Sequence, residues 1–147
     1  MRILVVAVGK IKAPELRVLI DDYIKRITRY AQVSEIELKD ETASKLAARI
    51  EKLTPPRARL VALEILGKRY SSTELAAFIS TCEVQAISAL VFLIGGAYGL
   101  PAQISAQADL KLSLSPMTLP HRLARLFLVE QLYRAFSINR NEPYAHE

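Results

Sequence analysis

Three glycines crowd the stretch Leu93-Ile94-Gly95-Gly96-Ala97-Tyr98-Gly99, directly after the apolar run Ala89–Ile94. Glycine there lets a backbone turn sharply and come close to a ligand. The spacing G-G-x-x-G lacks the leading G-x of a dinucleotide fingerprint, and no Lys-Ser/Thr follows as in a phosphate-binding P-loop. On spacing alone, a ligand-free strand-to-helix turn is an equal reading. A second segment, Leu112-Ser113-Leu114-Ser115-Pro116-Met117-Thr118-Leu119-Pro120-His121-Arg122, carries two prolines that stiffen a loop. Pro120 suits the first turn of a following helix. Such a loop can hold an adenine ring by its edge through free backbone donors and acceptors; the plainer reading is a loop that simply starts a helix. The third segment is the tail, where Arg140, Tyr144 and His146 stand in place of a solvated Lys/Glu end. Tyr144 can stack on a base and Arg140 can pair with a phosphate, against the ordinary expectation of a frayed terminus. His121 and His146 are the only histidines, and neither H-E-x-x-H nor G-x-S-x-G occurs. The lone Cys82 has no zinc-spaced partner and reads as a core residue. Nothing supports triad hydrolysis or a metal.

The elements that must position these segments alternate along the chain. Ile3–Val8 is a β-rich run closed by Gly9. After Pro14, the spacing of Leu16, Leu19, Ile20, Tyr23, Ile24 and Ile27 predicts an amphipathic helix ending near Tyr30. Val33, Ile36 and Leu38 predict a half-buried strand. A helix capped by Thr42 or Ser44 follows, with Leu46, Ile50 and Leu53 inward and Pro55-Pro56 ending it. Arg59–Leu66 reads as a strand stopped at Gly67-Lys68. Ser72 or Thr73 opens a helix through Leu75, Phe78 and Ile79. Leu110–Leu114 is a fifth strand, and Pro120 to about Ile138 is the longest helical pattern. Continuous apolar strands separated by helices predict a mainly parallel sheet covered on both faces, one α/β domain over residues 1–147. Ligands in such sheets lie beyond the carboxyl ends of strands, which selects Leu63–Gly67, Gly95–Gly99 and Leu114–Leu119. The last helix is apolar over more than one face, through Leu123, Leu126, Phe127, Val129, Leu132, Tyr133, Phe136 and Ile138. That width predicts a second burial partner, such as another subunit.

The chain has 147 residues, 51% hydrophobic and 24% charged, which excludes disorder as the main state. Its net charge of +5 permits an anionic partner without naming one. Fifteen of the 20 Lys and Arg residues precede residue 76, so the first half carries the excess while the cofactor-side segments are nearly uncharged. The uncharged stretch Val84–Ala108 is broken by glycines and a proline and does not read as a membrane span. The amino terminus lacks a cleavage site, and the expectation is a soluble, cytoplasmic protein.

Taken in order, Leu-Ile-Gly-Gly-x-x-Gly, Leu-Ser-x-x-Thr-Leu-Pro-His, Glu-Gln-Leu-Tyr-Arg-Ala and a final Asn-x-Pro-Tyr closely resemble the RlmH family along the whole chain. Val6-Ala7-Val8-Gly9-Lys10 fits as well. These are small SPOUT-class methyltransferases of large-subunit ribosomal RNA. The resemblance implies a Rossmann-like sheet with a C-terminal trefoil knot, an exception to the rule against knots. It also implies a homodimer, S-adenosyl-L-methionine as cofactor, and methylation of N3 of a pseudouridine in 23S rRNA on the assembled ribosome. Carried over by position, cofactor contacts fall on Leu63, Gly95, Leu114, Ser115, Pro116, Met117, Thr118 and Leu119.

Two departures stand out. Ala97 replaces a proline common after the glycine pair. The tail ends Tyr144-Ala145-His146-Glu147, with His146 where the family has arginine. The N3 proton must be accepted or the anion stabilised. His146 is the candidate base by its ordinary pKa, with Arg134 and Tyr144 completing the catalytic set. Arg122, Arg140 and Tyr144 are the expected RNA contacts. Two alternatives keep the fold: a ribosome- or RNA-binding protein whose catalysis the altered tail impairs, or a SPOUT methyltransferase of tRNA.

Overall fold

β1 (Arg2–Val8) is buried at every position after Arg2, and its side chains divide by parity. Ile3, Val5 and Ala7 enter one apolar cluster, while Leu4, Val6 and Val8 enter another. β4 (Ala89–Ile94) does the same, with Leu90, Phe92 and Ile94 opposite Val91 and Leu93. Strands covered on both faces have no polar side, which is why these runs show no alternation. β2 (Gln32–Leu38), β3 (Arg59–Arg69) and β5 (Leu110–Ser113) complete a five-stranded sheet in the order β2-β1-β4-β3-β5. Every pairing is parallel. The structure, a computed structural model, describes residues 1–147.

α1 (Pro14–Ile27), α3 (Ser72–Val84) and α5 (His121–Asn139) cover one face, contributing Ile20 and Ile27, Leu75 and Ile79, and Leu128 and Leu132 to the larger cluster. α2 (Ala43–Leu53) and α4 (Ala102–Gln107) cover the other with Leu46, Ile50 and Ile104. A single 3₁₀ turn, Pro143–His146, closes the chain. Cys82 is buried on α3, as its apolar surroundings predict.

Two boundaries differ from expectation by several residues, the ends of α1 and β3. α1 ends at Ile27, short of Tyr30. α3 opens at Ser72, as expected, and Ser71 caps it: the Ser71 hydroxyl accepts from the Glu74 N–H at 3.1 Å, and the Ser71 N–H donates to Glu74 Oε1 at 2.9 Å. The S-x-x-E spacing of this capping box was present in the sequence one residue upstream. β3 does not stop at Gly67-Lys68 but runs to Arg69. Leu63 and Lys68 both face Leu112, so Glu64–Gly67 bulge out and the strand then rejoins β5. Gly67 marks the return, because a Cβ there would lie 2.6 Å from the Lys111 carbonyl.

Candidate active site

Strand register brings the three selected segments together. Ala62 pairs with Leu93, so Leu63, where β3 begins to bulge, and Gly95, just past β4, lie on neighbouring strands. On the other side Leu63 faces Leu112, two residues before Leu114. The carboxyl end of β4, the bulge that opens after Leu63 in β3 and the carboxyl end of β5 therefore stand side by side in that order. After β4 the chain folds back in a tight turn, with the Gly99 N–H donating to the Gly96 carbonyl at 3.0 Å. Gly99 takes φ +78°, and nothing lies within 4 Å of where its Cβ would be.

The loop after β5 is held from its own start. Ser113 Oγ donates to the Ser115 carbonyl at 3.0 Å, and Ser115 Oγ accepts from the Met117 N–H at 2.9 Å. Pro116, Met117 and Thr118 are exposed, whereas Leu114, Ser115 and Leu119 are half-buried. The N–H groups of Thr118 and Leu119 make no hydrogen bond within the chain. Such backbone groups must find a partner when covered, which suits them to a ligand with a polar edge. Two clefts flank the loop. Leu114 lines one of about 210 Å³ with Tyr70, Ser72, Leu75, Phe127 and Gln131. Leu119 lines a larger, mostly apolar one of about 480 Å³ with Leu19, Tyr23, Leu123, Leu126 and Phe127.

The tail is folded, not frayed. Tyr144 donates its hydroxyl to Glu130 at 2.8 Å and meets the Tyr23 hydroxyl at 3.0 Å. Burial, then the Tyr23 and Glu130 contacts, hold its phenol well above the ordinary tyrosine range, so it stays protonated at neutral pH. Arg134 grips Glu130 through Nε and Nη2, donates from Nη1 to the Glu147 carbonyl at 2.7 Å and lies over the Tyr144 ring. Arg134 and Tyr144 thus share one network on α5. His146 is exposed at the end of the 3₁₀ turn. Arg122 is exposed at the start of α5 without an ion pair, and Arg140 stacks over Tyr30. The backbone brings the eight cofactor-side residues together, while the tail folds back along α5 so that Tyr144 and Arg134 meet at Glu130, in the middle of the helix.

A further cluster escaped the sequence reading. Arg125 is fully buried. Its guanidinium pairs with Glu35 at 2.8 Å and with Glu37, and donates to the Gly9 carbonyl at 3.1 Å. Arg17 also reaches Glu35, and lies 3.5 Å from Glu37. Burial pushes the Glu37 carboxyl up, but the Ile11 N–H and the Arg125 and Arg17 charges outweigh it and hold the group below the usual carboxylate range. One turn before Arg125, the His121 ring lies 3.3 Å from where a Cβ of Gly9 would stand, and Gly9 has φ +109°. The legible signal was Glu35-x-Glu37, two acids on one face of a strand, since carboxylates partly covered by a packed helix favour a neighbouring cation.

A parallel sheet with ligand-ready loops at its carboxyl edge matches the family described as predicted SPOUT methyltransferase over residues 1–146. The chain belongs to the SPOUT methyltransferase family. Within it, the chain belongs with proteins named ribosomal RNA large subunit methyltransferase H. It is 45% identical to the Sorangium cellulosum protein across 99% of this chain and all of that one. It is 43% identical to the Carboxydothermus hydrogenoformans protein, covering 98% and 99% of the two chains. A probable methylase family protein from Haemophilus influenzae shares the fold, with a TM-score of 0.53 at 12% identity. That match covers 95% of this chain and 66% of the other, so this chain spans just under two thirds of that longer protein. No helix is long and apolar enough to cross a membrane, and no group of three or more His, Cys, Asp or Glu residues is placed to hold a metal ion.

Proposed function

We propose that this chain is an S-adenosylmethionine-dependent methyltransferase acting on N3 of a pseudouridine in 23S rRNA of the assembled ribosome. The observation that carries the reading is the convergence of Leu63 at the β3 bulge, Gly95 and the Leu114–Leu119 loop along one edge of neighbouring strands, in a chain alike from end to end to large-subunit rRNA methyltransferases. S-adenosylmethionine supplies an electrophilic methyl carbon on a sulfonium. The residues present fit such a group: Leu63 and Leu114 offer apolar contact, the glycine turn allows close backbone approach, and the free N–H groups of Thr118 and Leu119 suit a base edge. We also place a C-terminal trefoil knot here, as the family implies. Positioning in a water-poor site can lower a transfer barrier by roughly 7–11 kcal/mol. Mass spectrometry of rRNA nucleosides from a deletion strain, with and without this protein, tests the reading; an unchanged methylpseudouridine content ends it.

The protein works as a homodimer in this reading. Leu19, Leu123 and Phe127 are 47%, 40% and 38% exposed around the larger cleft, an apolar face that a second copy covers. Tyr23 and Glu130, which hold Tyr144, line the same cleft, so a copy seated there stands beside both the tail and Leu119. Leu123→Glu should give a monomer by light scattering and cut methyl transfer by more than about tenfold, since a charge buried in an apolar contact goes unpaired.

Tyr144 and Arg134 order the tail, Arg122 and Arg140 contact RNA phosphates, and His146 accepts the N3 proton. His146→Ala should abolish the acid limb of the pH–rate profile; an unchanged profile removes His146 as base. The altered tail favours one second reading, a ribosome-binding protein that has lost catalysis. Donor binding by titration with no transfer to 70S ribosomes would select it. A tRNA substrate would show instead as transfer to tRNA.

A further inference from the structure

We propose that Arg125 is a positioning residue for the methyl-donor loop, an inference that rests on the function proposed above. The loop Leu114–Leu119 is tied at its start by β5 and by Ser113 and Ser115. Its far end runs straight into α5, whose first turn has neither a side-chain cap nor an acidic residue. An uncapped helix start leaves backbone N–H groups unpaired and frays readily. Besides Ala124, which packs on the main apolar cluster, what ties that turn to the sheet is the ion-pair cluster around Arg125. Arg125 reaches from α5 to Glu35 and Glu37 on β2 and to the Gly9 carbonyl at the end of β1. His121, one turn earlier on the same helical face, packs its ring on Gly9. Gly9 leaves no room for a side chain between sheet and helix, so backbone and imidazole meet directly.

The rest of α5 does not depend on this contact. Leu128, Val129, Leu132, Ala135 and Phe136 pack into the main cluster beyond it. Weakening the Arg125 cluster therefore loosens the first turn, and with it Met117–Leu119, while the helix stays in place. The donor site loses order at its α5 end, and donor affinity falls before the chemical step does.

The test is titration with S-adenosylmethionine together with transfer kinetics on 70S ribosomes for full-length wild type, Arg125→Lys, Glu37→Gln and Ile50→Val. Lysine keeps the charge but loses the planar fork that spans two carboxylates and a carbonyl. We expect Arg125→Lys to raise the donor Kd and KM about tenfold with kcat within about threefold, and Glu37→Gln to do the same more weakly. Ile50, buried on α2 behind the opposite sheet face, supplies a matched loss of Tm that leaves Kd unchanged. Folded Arg125→Lys or Glu37→Gln with wild-type Kd, or an equal Kd rise in Ile50→Val, overturns the proposal. If Arg125→Lys fails to fold, Glu37→Gln decides alone. Wild type that binds no donor overturns the functional reading and this proposal together, whereas wild-type binding with unaltered variants overturns this proposal only.

Discussion

Alanine at Gly95 should leave a folded protein that binds S-adenosylmethionine at least about 100-fold more weakly and transfers no methyl group. The added Cβ would lie 2.5 Å from the Gly99 carbonyl carbon, 2.7 Å from the Leu100 nitrogen and 2.8 Å from the Gly99 Cα. All three are backbone atoms, so no side chain can rotate away. Relief requires opening the turn that joins Gly96 to Gly99, and this displaces the middle of the three strand-end segments. Overpacking of this kind costs about 1–3 kcal/mol, which a sheet with two covered faces tolerates. Gly95 lies beyond β4, so the buried strand itself is untouched. Gly99→Ala is the informative contrast: its Cβ meets nothing, and only the left-handed φ of +78° opposes it. That variant should lose about 1–2 kcal/mol of stability and keep measurable transfer. Circular dichroism and donor titration on both variants check the pair; wild-type affinity in Gly95→Ala would show that the turn takes no part in donor binding.

Arg125→Ala should destabilise the fold by about 3 kcal/mol, the lower end for stripping a partner from a buried ion pair. The lower end applies because Arg17 stays beside both carboxylates. For a domain this size the loss corresponds to roughly 6–12 °C in Tm. Much of the cost is the charge left behind on Glu35 and Glu37, so Arg125→Met combined with Glu35→Gln and Glu37→Gln should recover most of it. Proton linkage adds a second signature. Glu37 titrates below its ordinary range in the folded protein, so its stabilisation is complete above the unfolded pKa and is lost as pH falls through the folded one. The deficit of Arg125→Ala is therefore largest at neutral pH and shrinks on acidification. Denaturant melts at pH 7 and below pH 4 measure it; an equal deficit at both would assign the loss to packing.

The elements were legible where one physical signal dominated. Ile3–Val8 and Ala89–Ile94 have no polar side because helices cover both faces, and that pattern announced a parallel sheet. Strand ends, glycines and prolines together point to the segments Leu63–Gly67, Gly95–Gly99 and Leu114–Leu119, and the family resemblance narrows the first two to Leu63 and Gly95. Proximity itself was not legible, because the order β2-β1-β4-β3-β5 depends on crossovers that periodicity does not encode. Gly67 read as a stop because a glycine in an apolar run can end a strand or mark a bulge, and the pattern does not separate the two. The burial of Arg125 was not legible, because one arginine among Leu123, Leu126 and Phe127 does not reveal which side of the helix it takes. Its partners lie about 90 residues away on β2, joined to it only by the tertiary fold.

Phe127 and Gln131 stand between the two clefts and face into both. An occupant of either cleft therefore restricts the rotamers open to the wall of the other. Equilibrium reciprocity then governs the pair: whatever factor a ligand beside Leu114 imposes on association across Leu119, association returns to that ligand in equal measure. Any coupling between the two clefts is a single free energy, legible from either side.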